Sequence, residues 1–546
     1  MLSIDQPTRG GAQRPTITDA KSCRTWLQAL PLTNAAPAHA EMQLQLELLN
    51  HSAALAGVER LLILEELRES VVYLQNELAR KYLGKSVPLD AAEDAALKKV
   101  LALWQSFNHG YQICLQNYRD NDQALTSFRG LIAHRILRLL TLEMLEYYRV
   151  YRDVPEALWK QLHRNFAATE ELKLTKIPVK DPLNRMIEST RVEAAYAQAL
   201  LLDLANPYHL NSKQLAQVER WLDKWSARIE ITAAAVAPVA PELSNLPTLV
   251  VDLDRPNGVQ LGTRFETGPM LRHINIQLLV ATLVKRLRHL RKGGSPTELD
   301  ISADCVQPAC EQLLGDLYQQ WCEPLRHRAY ERRPSDAKVQ VCFGVAAIHF
   351  FCNGAKPYRQ PGTRDSQTLS WQEAQDLKLF GQLSANTQRL QASQMGFATE
   401  SWRVEDESAL GFRLAADGLH AARLSLGQLI AIRHPQAAHF AIGQIRWLRF
   451  EAEGALNIGV HTLPGIPMPV GIRAPVLIPT LQNKFQQAFL LPEIPALSQA
   501  ATLVLPPGWF SQDKQIELHI DETLTIRLTA LLERGADFDR VAFATR

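Results

Sequence analysis

Over the first 231 residues, apolar side chains recur at steps of three and four. Leu61, Leu64, Leu67, Val71, Leu74 and Leu78 draw one stripe down a helix, which Gly84 and Pro88 then end. Similar patterns run from Phe128 to Tyr151 and from Arg191 to Leu204, where Asn206-Pro207 is a break. Ser212 is placed to cap a further helix carrying Leu215, Val218, Leu222 and Trp225. The stripes are too short for a coiled coil and read as core. They predict an all-α domain over residues 23–231, behind a flexible N-terminus at 1–22.

The Ala/Pro-rich stretch 232–247 reads as a linker, and 248–325 as a mixed, mainly helical connecting region. After Pro334 the period falls to two. VQVCFGVAAIHFFCNG (Val339 to Gly354) reads as one strand, and RLSLGQLIAIR, FAIGQIRWLRF and ALNIGVHTL as three more, spaced by turn residues. Such strands predict a small antiparallel barrel over 326–473, with a polar insert at 356–399 holding a helix near Trp371 to Gln382. In the tail, 474–546, the alternation Ile516/Leu518/Ile520 and Leu524/Ile526/Leu528 around Asp521-Glu522 predicts an added β-hairpin. The expected class is multidomain α plus β.

Composition narrows the function. With 46% apolar and 21% charged residues in 546, the chain can bury sizeable cores. A formal charge of +2 argues against general affinity for nucleic acid. The seven cysteines are odd in number and lack CxxC spacing, which predicts buried free thiols in a reducing compartment. No apolar run reaches the length of a membrane span and the N-terminus has no signal-like core, so a cytoplasmic protein without membrane insertion is expected.

Most candidate motifs fail on spacing. Gly84-Lys85-Ser86 is not a P-loop, because Ala79 stands where the first glycine belongs. Asp252 and Asp254 would share a strand face, but no further metal ligands accompany them. The basic run Lys285 to Lys292 suits a helix C-terminus. No metal, cofactor or catalytic constellation is expected.

One stretch stands apart. WRVEDESALGFRL places Asp406, Ser408 and Gly411 between two strand-like runs as DxSxxG, and Ile458-Gly459-Val460 follows. After a basic segment and a first strand, this order resembles the PilZ domain, a bacterial receptor for cyclic di-GMP, over about Arg326 to Arg473. The resemblance implies that Asp406, Ser408 and Gly411 bind guanine. An aspartate accepts from the guanine N1–H and amino group, a hydroxyl adds a short contact, and glycine lets the backbone approach a flat base. The family's RxxxR supplies arginine forks for phosphate or the guanine O6/N7 edge. In HRAYERRPSDAKVQV it fits literally as Arg328 and Arg332. Counted back from the strand at Val339, the positions are Arg333 and Ala337, with Lys338 a partial substitute; this register is the physically stronger one, because the loop must hand the arginines to the barrel mouth. Arg328, Arg332 and Arg333 are therefore all candidates. Alternation points one of Arg446 and Trp447 inward, and Trp447 is expected in the core. The expected protein is a non-enzymatic cyclic di-GMP receptor that signals to an unidentified protein partner through its helical region. The alternative is a PilZ domain that binds no nucleotide and acts as an interaction module.

Overall fold

In the computed structural model the predicted stripes become ten long helices. They are α1 (Ala20–Ala29), α2 (Ala35–His51), α3 (Gly57–Ala79), α4 (Ala91–Arg119), α5 (Arg129–Arg149), α6 (Glu156–Glu171), α7 (Val192–Leu204), α8 (Ser212–Trp225), α9 (Gln277–Arg291) and α10 (Ala309–Cys322). The structure describes residues 16–545 except 185, 241–242, 245, 263–267, 300–304, 324–330, 362–370, 381–383, 417–421, 452–453 and 476–483. Two compact units divide the chain, 1–85 with 89–327 and 86–88 with 328–546.

In the helical unit, the six α3 residues of the predicted stripe are at most 3% exposed. Asp90 and Glu93 form a capping box that starts α4. The cap of α8 is Asn211 rather than Ser212: its side chain accepts from the Lys213 and Gln214 N–H groups. The unit is not all-α. Strands β1 (Pro178–Lys180) and β2 (Ser189–Arg191) pair, and β3 (Glu230–Thr232), β4 (Thr248–Asp252), β5 (Gln260–Gly262) and β6 (Leu271–Asn275) make a sheet in the order β3-β6-β4-β5. The first residue of the expected linker, Thr232, is thus the end of a paired strand. Trp321 of α10 meets Trp225 of α8 edge-on, so the connecting region shares the helical core.

Charges are buried inside this unit. Arg135 is 2% exposed and bonds Glu65 and Asp181, Arg68 bonds Asp181, and Arg138 bonds Glu219 and Asp223. They surround a cavity of about 220 Å³ in which each arginine already has a carboxylate. Asp252 accepts the Asp254 N–H and pairs with Arg255, closing a turn at the end of β4. In α9 the basic run is only partly solvated, since Arg286 is buried over the Trp225 ring. Gly293, at φ 82°, ends the helix.

The second unit opens with β7 (Arg333–Pro334) and β8 (Lys338–Phe343), followed by α11 (Val345–Cys352), α12 (Trp371–Phe380) and α13 (Ala385–Gln394). Val339 to Gly354 is therefore a strand and then a helix, not one strand, with Gly344 at φ 84° between them. Next come β9 (Glu400–Ser408), β10 (Gly411–Ala416), β11 (Leu429–Arg433), β12 (Ala441–Phe450) and β13 (Leu456–Thr462). Antiparallel pairings run β8-β9-β10-β13-β12-β11 and back to β8, closing a barrel.

The tail is more than a hairpin. Strands β14 (Met468–Arg473), β15 (Gln486–Leu491), β16 (Thr502–Leu505), β17 (Gln515–His519), β18 (Thr523–Arg534) and β19 (Asp539–Thr545) form a second closed barrel, β14-β15-β16-β19-β18-β17. The predicted hairpin is its β17–β18 pair. Val470, Ile472, Leu503, Ile516, Ile526 and Val541 fill it.

Cys305 and Cys310 form a disulfide bond, against the expectation of free thiols throughout. Cys23, Cys114, Cys322 and Cys342 are free and buried. Burial pushes the Cys23, Cys114 and Cys322 thiols up to about 12, which leaves them unreactive. Among the described residues no helix is long and apolar enough to cross a membrane.

Candidate ligand-binding site

The DxSxxG segment is the tip of the β9–β10 hairpin. Ser408 faces Gly411 across the two-residue turn Ala409-Leu410, and Asp406 faces Arg413. Glu405 is the extra residue of a bulge, since the register passes from Asp406 to Val404 opposite Arg413 and Leu414. The bulge ends the inward alternation of Trp402 and Val404 and turns Asp406 and Ser408 to the outer face.

The basic segment reaches this hairpin through its backbone. Strand β7 runs antiparallel to β9 beyond the end of β8, with Arg333 opposite Glu407 and Pro334 opposite Asp406. Cross-strand partners share a face and alternate residues share a side. Arg332 and Pro334 therefore lie on the Asp406 face, and Arg333 on the other. Arg332 Nη1 indeed donates to Asp406 Oδ1 in an ion pair whose side chains are 29% and 23% exposed. Arg333 is exposed. Arg328 lies outside the described residues.

The remaining residues complete the face. Gly411 is buried opposite His461 of β13, and a Cβ there would collide with the Val460 carbonyl oxygen. That close approach, not a positive φ, is why glycine is required. Ser408 Oγ lies 3.4 Å from the Gly411 carbonyl oxygen. His461 is held below its usual pKa by burial and then by the Arg446 charge, so it is neutral at pH 7. Arg413 faces Gly459, and Trp447 faces Gly459 from the far side. A Cβ on Gly459 would strike the Trp447 indole, so the apolar-Gly-apolar element makes room for a ring.

Two residues here went unread or misread in the sequence. Arg413, two residues after Gly411, is on the same face. It is a half-exposed fork with only a 4.0 Å approach to Glu451, and its Nε has no hydrogen-bond partner among the described residues. The period of two beyond the motif was the signal for it. Trp447 is half-buried on this face and not in the core, because the chain bulges at Arg446. Arg446 itself bonds Gln444 and approaches Glu533.

Three family profiles match the chain. Residues 21–236 match the N-terminal domain of the cyclic-di-GMP receptor FimW, 263–394 its middle PilZ domain, and 475–545 its C-terminal β-barrel domain. The chain therefore contains a PilZ domain. A relative in Pseudomonas aeruginosa, named "Cyclic-di-GMP receptor FimW", is 23% identical over 95% of this chain and 89% of its own length. The PilZ-domain match stops before β9 begins, so Asp406 to Gly411 lie between the middle and C-terminal matches.

Proposed function

We propose that this PilZ-domain protein is a cytoplasmic cyclic di-GMP receptor, without catalytic activity, whose ligand sits on the outer face of the β9–β10 hairpin. The observation that carries the reading is the Arg332–Asp406 ion pair, because it joins the basic segment to the DxSxxG tip on one face. Asp406 would accept from the guanine N1–H and amino group, with Ser408 beside it and Gly411 admitting the base edge. Arg332 and Arg328, the literal RxxxR, would present forks to phosphate or to O6/N7, and Arg413 would add a third. Arg333, on the other face, would contribute little. The name of the Pseudomonas aeruginosa relative supports this choice of ligand.

The helical region would carry the signal to a protein partner. In sequence, the basic segment follows α10 directly, so a ligand gripping it bears on residues leading to both units. A ligand shifts such an equilibrium only by its differential affinity for two arrangements.

Calorimetry on the full chain tests the reading. Cyclic di-GMP should give a saturable heat, and GTP at the same concentration should not. A fragment ending at Arg473 is unsuitable, since it would cut the second barrel after β14. Heat from neither ligand, with the protein folded, would put the interaction-module reading in front.

A further inference from the structure

A second cavity of about 550 Å³ opens in the same unit, away from the hairpin, between α11, the loop after it and the β14 and β17 strands. At its floor is His349, only 2% exposed. The His349 ring reaches only the Val470 backbone, and the hydroxyl of Tyr358, whose ring meets His349 edge-on at 5.0 Å, has no hydrogen-bond partner among the described residues. Phe489 backs the imidazole at 5.7 Å. Unpaired buried polar groups are costly, and each calls for an explanation.

The lining describes what would satisfy them. Burial lowers the His349 pKa to about 4, against an opposing hydrogen bond to the Val470 backbone, so the ring is neutral. A neutral imidazole whose one N–H turns to the Val470 carbonyl keeps a lone pair to accept with, and the phenol beside it can donate. Together they complement an N–H and a C=O side by side, which is a ring amide. Pro469, Val470 and Ile520 give apolar walls suited to a flat ring, and Gly471 comes so close to Tyr358 that a Cβ there would lie 2.6 Å from the hydroxyl. Lys356, exposed, places positive charge at the rim, where an anionic substituent would end. The volume lies in the range of small-molecule sites.

We infer that this cavity is a second ligand site, taking a planar ring amide that carries an anionic group, the chemistry shared by pyrimidine nucleotides and pyrimidine carboxylates. It shares no residue with the Arg332–Asp406 face and stands or falls independently of cyclic di-GMP binding. The test uses the full chain with uridine monophosphate, orotate and uridine as probes, read by calorimetry and by the imidazole ¹⁵N shifts of His349. Saturable binding of one or both anions, weaker binding of uridine and a moved His349 resonance are expected. Uridine monophosphate alone would assign the rim to phosphate, and orotate alone to carboxylate. Tyr358→Phe keeps the ring and removes only the hydroxyl, and His349→Phe keeps the volume. Each should weaken the bound anion roughly tenfold. No saturable binding at millimolar probe, or equal affinity in the wild type and Tyr358→Phe, would overturn the assignment.

Discussion

Replacing Arg332 by alanine tests the proposed receptor face at its centre, because the residue has two roles that pull in opposite directions. Its ion pair with Asp406 is between surface and core, with side chains 29% and 23% exposed. Exposed pairs contribute about 0.2–1 kcal/mol, so removing this one should cost the folded protein about 1 kcal/mol or less. Toward the ligand, loss of a charge-assisted partner should cost about 1.5–3 kcal/mol. The variant also spares the ligand the work of parting Arg332 from Asp406, which returns up to about 1 kcal/mol. The net expectation is about 0.5–3 kcal/mol, or roughly a two- to 150-fold weaker cyclic di-GMP isotherm. Calorimetry on the full chain reads the affinity, and urea unfolding confirms that stability has barely moved. Arg333→Ala, on the opposite face, should bind within about twofold of wild type. Unchanged or tighter binding by Arg332→Ala would refute the reasoning, and would make Arg332 a lock on Asp406 and not a ligand contact.

Gly411→Ala should lower stability by about 1–3 kcal/mol in urea unfolding, since the added methyl meets the Val460 carbonyl and must push β10 off β13. An unchanged midpoint would show that the hairpin yields freely. Glu143→Gln probes burial in the helical unit, where desolvation raises the Glu143 carboxyl from 4.5 to about 7 despite a hydrogen bond from Gln105. A raised folded pKa gives stability that is full below about pH 4.5 and lost as pH climbs through 7, so the variant should be more stable than wild type at pH 8, by on the order of 3 kcal/mol, and equal at pH 4. A gap that does not change with pH would sink this account. Saturating cyclic di-GMP should slow amide exchange across residues 331–338 and alter it on at least one helix before Pro247. Protection confined to the hairpin and basic segment would reject signalling to the helical unit while leaving binding intact.

What the sequence revealed depended on how local each decision was. The α3 stripe was legible because every third or fourth position is buried in one core. DxSxxG was legible because its residues sit on one hairpin, where spacing and face are the same information. Helix α11 was missed because VAAIHFFC is apolar almost throughout and shows neither period; only Gly344, which takes a positive φ, marked the change. The second barrel appeared as one hairpin because its closure depends on pairing β14 with β17 and β16 with β19, far apart in sequence. Counting back from β8 pointed to Arg333 because it assumed an unbroken strand. Ser335 to Ala337 interrupt it, and β7 resumes the edge of β9 in its own register. The buried ion network around Arg135 left no mark on hydrophobic periodicity.

The closure of the second barrel by β19 also orders events on the ribosome. The strands of the first barrel are all synthesised once Thr462 has been added, whereas β16 and β18 stay unjoined until Asp539 to Thr545 arrive. At translation speeds of roughly 5–20 residues per second, several seconds separate the two moments. Late in that interval, from Leu505 until β19 is made, the nascent chain carries the unpaired edge of β16, a template for other strands. Slowing elongation after Leu505 should therefore lower the soluble yield, while slowing it earlier should not.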